Sequence, residues 1–256
     1  MLLTIDVGNT ETKLGCFPLR GSELLQSWRV TTESKRTADE YGVFFAQLFA
    51  TAELRAQDVQ AVVISSVVPK LDQTLEHACR RYFGCDPVFF KPNRQTLMPV
   101  ITDRPGEVGA DLVAASIGAR DVYGAPLIVI SYGTATVFMA ISAQGEYMGV
   151  AIAPGINVSI DALVGRTAKL PQVALDTPQR AIGRTTNEAL QAGIVYGFAG
   201  QTEAIVARMR AELGAAARVV ATGGLAESFA THVACVDAID PALSLAGLQL
   251  FYESSR

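Results

Sequence analysis

The chain has 256 residues, of which 50% are hydrophobic and 18% are charged, and its mean hydropathy is +0.28. This composition supplies ample apolar material for a large core and too little charge for intrinsic disorder. The formal net charge of -4 and the absence of a Lys/Arg cluster denser than Arg80-Arg81 argue against a nucleic-acid partner.

Targeting and membrane signals are also missing from the sequence. Apolar runs such as Pro126 to Ile130 have strand length, far short of the ~20 residues that a spanning helix needs. The N-terminal MLLTIDVGNT has no basic region, which is untypical of a signal peptide. Four cysteines without a CxxC pair and only two histidines favour buried thiols over structural zinc. We therefore expect a cytoplasmic protein with no membrane partner.

The hydrophobic pattern of the first half predicts strands interspersed with helices. Strands are expected over residues 2–5, 12–17, 25–30, 61–68 and 87–90, and helices over 38–50 and 70–83. The turn Gly8-Asn9-Thr10 joins the first two strands into a hairpin. The polar, proline-containing stretch 91–107 is expected to be a surface loop.

The second half repeats this alternation. Helices are expected over residues 110–123, 157–169, 186–213 and 241–252, and strands over 127–130, 135–141, 146–152 and 218–221. The pattern predicts an α/β protein made of two domains, 1–109 and 110–256, that share a cleft.

The two predicted domains open on similar segments. LLTIDVGNTETKLGCF from Leu2 and LIVISYGTATVFMAIS from Leu127 align so that position 6 falls on position 131. Each contains an apolar strand, a polar residue, a glycine two positions later, a hydroxyl-rich turn and a second strand. The alignment indicates an internal duplication, with a chance likeness between two strand-turn-strand units as the alternative.

Both turns have residues suited to binding phosphate. Glycine at a hairpin tip lets backbone N–H groups approach a ligand, and Asn9, Thr10 and Thr134 add side-chain donors. Asp6 would orient a metal ion or a water, and Lys13 would neutralise polyphosphate charge. Ordinary hairpin turns use the same residue types, so a purely structural role stays open at this point.

Seven motifs, in family order and spread over nearly the whole chain, resemble those of type III pantothenate kinases. They are DVGNT from Asp6, SSVVP from Ser65, EVGAD from Glu107, GTAT from Gly133, GEYMGVAIAPGI from Gly145, IGRTTNEALQAGIVYG from Ile182 and ATGGLA from Ala221. Together they are highly specific for this family.

The resemblance implies the fold of acetate and sugar kinases, actin and heat-shock ATPases, in which two ribonuclease H-like domains enclose a nucleotide cleft. It also implies a homodimer with a shared active site. The implied reaction is the phosphorylation of pantothenate by ATP with Mg, the first step of coenzyme A synthesis, with a requirement for potassium or ammonium.

The same resemblance assigns roles residue by residue. Asp111 would accept the proton of the attacking hydroxyl, whereas without the resemblance it would be an ordinary acid at a helix N-terminus. The implied ATP-binding residues are Asp6, Val7, Gly8, Asn9, Thr10, Glu11, Thr12, Lys13 and Thr134. The implied substrate-binding residues are Thr102, Gly109, Ala110, Asp111, Leu112 and Thr186.

Four positions depart from the family pattern. Leu112 replaces the arginine of GADR and removes a charge with its fork of donors, and Thr102 stands where an aromatic residue is usual. Ser131 occupies the monovalent-cation position without the acid found there, and Met139 replaces another acid. We therefore expect turnover without potassium dependence, and Arg104 is a candidate to return a cation to the pocket.

These departures keep two alternatives to a pantothenate kinase open. The chain could be a catalytically impaired family member with a regulatory or accessory role. It could also be a kinase for another small hydroxyl compound, because Leu112 makes the pocket more apolar.

Overall fold

The computed structural model describes residues 1–92, 97–166, 174–214 and 217–255. The strands are β1 (Leu2–Val7), β2 (Glu11–Phe17), β3 (Gln26–Thr31), β4 (Ala61–Ser66), β5 (Pro87–Phe89), β6 (Leu127–Tyr132), β7 (Ala135–Ile141), β8 (Tyr147–Pro154), β9 (Arg218–Thr222) and β10 (Ala238–Ile239). The helices are α1 (Ala38–Thr51), α2 (Pro69–Ala78), α3 (Ala110–Tyr123), α4 (Ile156–Gly165), α5 (Thr186–Leu213), α6 (Ala226–Phe229) and α7 (Leu243–Ser254).

Most predicted elements are confirmed, and the differences lie at their ends. The strand predicted over 61–68 stops at Ser66, because Pro69 begins α2 with its fixed φ angle. The helix predicted over 157–169 ends at Gly165, and residues 167–169 lie outside the described ranges. The short strand β10 was not predicted, because two residues are too few to show alternation.

Backbone contacts divide the chain into two units. Unit 1 comprises Met1–Asp121 and Leu243–Arg256, and unit 2 comprises Val122–Ala242. The sequence analysis predicts a division between residues 109 and 110, whereas the contacts group α3 and α7 with the first sheet. The reason is a close crossing of these two helices, described below.

Unit 1 is built on a five-stranded sheet in the order β3-β2-β1-β4-β5. One face carries Leu3, Ile5 and Val7 of β1, which pack with aromatic residues of α1 such as Phe45 and Phe49. Helix α1 starts at a capping box, in which Thr37 and Glu40 each accept the other's backbone N–H. On the other face, α7 packs against β1, β2 and β4.

Unit 2 repeats this topology with a sheet in the order β10-β9-β6-β7-β8. Asp6 of β1 pairs in register with Lys13 of β2 and Ser65 of β4. Ser131 of β6 pairs in the same way with Val137 and Thr222. The predicted duplication and the α/β fold class are therefore confirmed, with Ser131 at the position equivalent to Asp6.

Glycines allow α3 and α7 to cross at backbone contact within unit 1. A Cβ atom on Gly247 of α7 would overlap the carbonyl oxygen of Ala114, and one on Gly118 of α3 would overlap the carbonyl oxygen of Leu243. Since both obstacles are backbone atoms, neither can swing aside as a side chain would. This crossing fixes the start of α7 relative to α3.

No described helix has the combination of length and apolar composition that a membrane crossing requires.

We expect Gly247→Ala to lower the free energy of unfolding by about 1–3 kcal/mol, because the added methyl group overpacks the α3–α7 crossing. Chemical denaturation monitored by circular dichroism measures the change. Gly200→Ala is the matched control, since Gly200 is an exposed helical glycine of α5 with open space at its Cβ position. It should be neutral or stabilise by up to about 1 kcal/mol. Equal effects of the two substitutions would contradict the crossing as the cause.

Candidate active site

The turn between β1 and β2 is held in shape by hydrogen bonds from outside the hairpin. The N–H of Gly8 donates to the carbonyl of Glu11 at 3.0 Å, which closes the turn. The Thr32 hydroxyl donates to the Gly8 carbonyl at 2.7 Å, and the Thr32 N–H donates to the Thr10 carbonyl at 2.9 Å. Thr12 and Thr32 share a further hydroxyl hydrogen bond of 2.8 Å. This bracing leaves the Asn9 and Thr10 side chains at an exposed tip.

The turn between β6 and β7 in unit 2 is one residue shorter and is also closed by the N–H of its glycine. The N–H of Gly133 donates to the carbonyl of Ala135 at 3.0 Å. The N–H of Gly155, which precedes α4, donates to the Thr134 carbonyl at 3.2 Å, and a Cβ on Gly155 would overlap that carbonyl oxygen. A glycine at 155 is therefore required for the chain to support this second loop at backbone distance.

Asp6 is the buried acid of unit 1, with only 7% of its surface exposed at the end of the central strand. Burial raises the pKa of its carboxyl group, while the charge of Lys13 and the nearby hydroxyls of Ser244 and Ser65 oppose the rise. Its Oδ1 atom has no hydrogen-bond partner among the described residues, so these hydroxyls lie beside the carboxyl without the alignment of a full hydrogen bond. Asp6 is therefore a buried carboxyl group at the start of the β1–β2 turn, with an oxygen available to a ligand.

Asp111 lies in the first turn of α3, in the same unit. Desolvation of its carboxyl raises its pKa to about 6, and the negative charge of Asp6 adds to the rise. The backbone N–H of Leu112 and the charge of Lys13 act in the opposite direction. A Cβ on Gly109 would come within 2.6 Å of Asp111 Oδ1, which shows that the carboxylate folds back over this glycine. A carboxylate with this pKa is ionised at neutral pH yet basic enough to accept a proton.

The structure thus brings three of the predicted residues, Asp6, Lys13 and Asp111, into one electrostatic cluster of unit 1. Thr102 belongs to the same unit, and its enclosed hydroxyl has no hydrogen-bond partner within the described ranges. Thr134, Ser131 and Thr186 belong to unit 2, where Thr186 is the first residue of α5.

The departures from the family pattern also have definite places. Leu112 follows Asp111 in the first turn of α3 and is partly buried. Met139 is fully buried in β7, where an ionised carboxylate would be strongly disfavoured. Arg104 is exposed and pairs with Glu107 at 3.0 Å, so its charge already has a partner outside the Asp6 cluster.

The family is shown by comparison with known sequences. The family model described as type III pantothenate kinase matches residues 2–208. The chain belongs to the type III pantothenate kinase family. Curated members from Moorella thermoacetica and Myxococcus xanthus are 49% and 47% identical, over 99% and 98% of this chain and the same shares of theirs.

Solved structures support the fold. A protein from Campylobacter jejuni assigned to the Baf family of transcriptional activators has a TM-score of 0.62 at 18% identity, covering 99% of this chain and 98% of that one. The activator of 2-hydroxyisocaproyl-CoA dehydratase from Clostridium difficile, solved with bound ADPNP, has a TM-score of 0.58 at 12% identity, covering 99% and 95%. At these identities the likeness concerns the fold alone.

Sequence reasoning assigned no role to Ser65, Ser244 or Thr32. Ser65 and Ser244 contribute to the surroundings of Asp6, and Thr32 braces the first loop. Ser65 lies within the SSVVP motif, so its sequence context could have indicated a role in the site. Ser244 is distant in sequence and reaches Asp6 only through the packing of α7 on β1.

The raised pKa of Asp111 predicts that its ionised carboxylate lowers the free energy of unfolding above pH 6. The folded state binds the proton more tightly than the unfolded state does, so stability is retained at low pH and falls as pH rises from about 4 through about 6. We expect Asp111→Asn to raise the free energy of unfolding at pH 8 by about 1–3 kcal/mol, with the gain shrinking as pH is lowered towards 4. Urea titrations of both proteins at several pH values measure it. Asp121→Asn, an exposed position in the same helix, should show no such pH-dependent gain.

Proposed function

We propose that this protein transfers the γ-phosphoryl group of ATP to the hydroxyl of pantothenate. The observation that carries the proposal is the Asp111 carboxyl with a pKa of about 6 beside Asp6 and Lys13, in a member of a family whose relatives at 46–49% identity are named type III pantothenate kinases. Both relatives described above are named as kinases, so no observation favours the regulatory alternative.

In the proposed mechanism Asp111 is the general base. It accepts the hydroxyl proton of pantothenate as the oxygen attacks the γ-phosphorus, and ADP leaves with the electron pair of the broken P–O bond. The two glycine turns offer backbone and hydroxyl donors to phosphate oxygens, and Lys13 offsets their charge. Phosphoryl transfer depends chiefly on alignment and charge neutralisation, so these are the contributions required of the protein.

The residues of unit 1 fit a magnesium ion that arrives with ATP. Asp6 would supply a buried carboxylate oxygen that no described residue hydrogen-bonds, and oxygen is the ligand that Mg²⁺ prefers. When bound, the ion would neutralise charge on the phosphate groups. The proposed substrate contacts are those implied by the family motifs at Gly109, Ala110, Asp111, Thr102 and Thr186, with Leu112 adding apolar surface.

The monovalent-cation position does not fit in the same way. Ser131 stands where unit 1 has Asp6, and a neutral hydroxyl gives a potassium ion no charge compensation. We therefore propose turnover that does not depend on potassium.

We further propose a cytoplasmic homodimer. Edge strand β8 presents a stripe of exposed apolar side chains: Met148 (41% exposed), Val150 (41%) and Ile152 (68%). Such surfaces are typical of protein–protein interfaces. The four free thiols suit a reducing compartment. Size-exclusion chromatography with light scattering tests the dimer.

A coupled ADP-release assay with pantothenate tests the activity. We expect pantothenate-dependent turnover whose kcat/KM rises with pH through about 6, because Asp111 must be ionised to accept the proton. Asp111→Asn should lower kcat by about 10²- to 10⁴-fold, while the control Asp121→Asn should leave it unchanged. Absence of pantothenate-dependent ADP release from folded wild-type protein would reject the proposal. Release with another alcohol alone would favour the alternative substrate.

The same assay tests the cation. The wild-type rate should be equal in potassium chloride and in choline chloride of the same ionic strength, since Ser131 provides no carboxylate. Ser131→Asp should gain activation by potassium if this position is the cation site. A wild-type enzyme that is inactive without potassium would contradict the prediction.

A further inference from the structure

Beside the turn between β1 and β2 lie three enclosed oxygen atoms that have no hydrogen-bond partner in the part of the chain that the structure describes. They are Oδ1 of Asp6, Oγ of Ser65 and Oγ of Ser244, in residues that are 7%, 0% and 4% exposed. Both hydroxyls lie beside the Asp6 carboxyl group, Ser65 as its register partner and Ser244 through the packing of α7 on β1. Buried polar atoms are normally paired. An unpaired carboxylate oxygen with two unpaired hydroxyls beside it therefore points to a site that is completed when its ligand binds.

The fold holds each of these residues firmly. Ser65 on β4 is the register partner of Asp6 on β1, so the two side chains point to the same face of the sheet. Ser244 is the second residue of α7, which packs on β1 and whose start is fixed by the contact of Leu243 with Gly118. It lies beyond residues 2–208, the segment that the family model matches.

The charged groups around Asp6 do not orient it alone. Lys13 on β2 attracts the carboxylate, whereas Glu11 on β2 and Asp111 on α3 repel it. The Coulomb attraction of one flexible ammonium group keeps the carboxylate close to Lys13 but does little to set the direction in which its oxygen atoms point. Hydroxyl donors at fixed places on the sheet and on α7 supply direction, because hydrogen bonds require alignment.

We propose that Ser244, together with Ser65, is a positioning residue that holds the Asp6 carboxylate in the orientation required to bind Mg²⁺–ATP. When the nucleotide binds, the two hydroxyls align to donate to the carboxylate from the sheet and from α7, and the carboxylate keeps an oxygen for the metal. The C-terminal helix is thereby part of the nucleotide site. The kinetic consequence rests on the proposed kinase function, whereas the binding consequence does not.

The test compares Ser244→Ala, Ser65→Ala and Ser244→Thr with wild type. Binding of the ATP analogue ADPNP is measured by calorimetry with Mg²⁺ and with EDTA. Ser244→Ala should weaken binding by about 10-fold or more with Mg²⁺ and leave binding in EDTA unchanged, since the lost hydrogen bond to a charged group acts only through Asp6. In turnover assays kcat should fall by about 10- to 100-fold with the KM for pantothenate unchanged.

Controls separate positioning from folding. Ser142→Ala removes a buried hydroxyl in unit 2 that bonds Glu146 at 3.0 Å, and it should not affect the magnesium-dependent part of binding. Ser244→Thr restores the hydroxyl and should recover binding. If Ser244→Ala does not fold, Ser65→Ala decides, because its hydroxyl faces the same carboxyl.

Equal losses with Mg²⁺ and with EDTA would mark a merely structural role and overturn the inference. The inference is also overturned if folded Ser244→Ala binds Mg²⁺–ADPNP as tightly as wild type. If Ser244→Ala is unfolded, the same result for Ser65→Ala overturns it. If wild-type protein binds Mg²⁺–ADPNP but does not phosphorylate pantothenate, the proposed function fails while the binding comparison still judges the role of Ser244.

Discussion

The candidate active site depends on the burial of one acid, Asp6, at the end of the central strand of unit 1. A buried carboxylate is tolerated only with compensation, and here the compensation comes from Lys13 across the hairpin and from hydroxyls on β4 and α7. Asp111 experiences the negative charge of Asp6, which helps to raise its pKa into the range of a useful base. The acid that would meet the nucleotide and the acid that would activate the alcohol are thus electrostatically linked.

The duplication shows what this linkage requires. Unit 2 has the same strand order and register, but Ser131, Val137 and Thr222 stand where unit 1 has Asp6, Lys13 and Ser65. Thr222 keeps a hydroxyl where unit 1 has Ser65. The two charged residues of unit 1, Asp6 and Lys13, correspond to neutral residues in unit 2. Loss of the two opposite charges together avoids an unpaired buried ion, which explains how the second sheet remains stable without them.

The crossing of α3 and α7 positions two residues of the candidate site. Glycines at positions 118 and 247 let the two helices meet at backbone distance, so the starts of both are fixed. Asp111 is in the first turn of α3 and Ser244 is at the start of α7. The same packing explains why the last helix groups with the first unit although the sequence repeat alone would assign it to the second.

The sequence by itself determined the elements, the repeat and the family, because hydrophobic periodicity and local motifs are properties of neighbouring residues. It drew attention to the glycine turns and, through the resemblance, predicted roles for Asp6, Lys13 and Asp111. It could not show that Arg104 is paired with Glu107, that Met139 is buried, or that Ser244 lies beside Asp6. Those facts were decided by tertiary structure, because burial, the resulting pKa values and contacts between residues far apart in the chain exist only once the helices pack on the sheets.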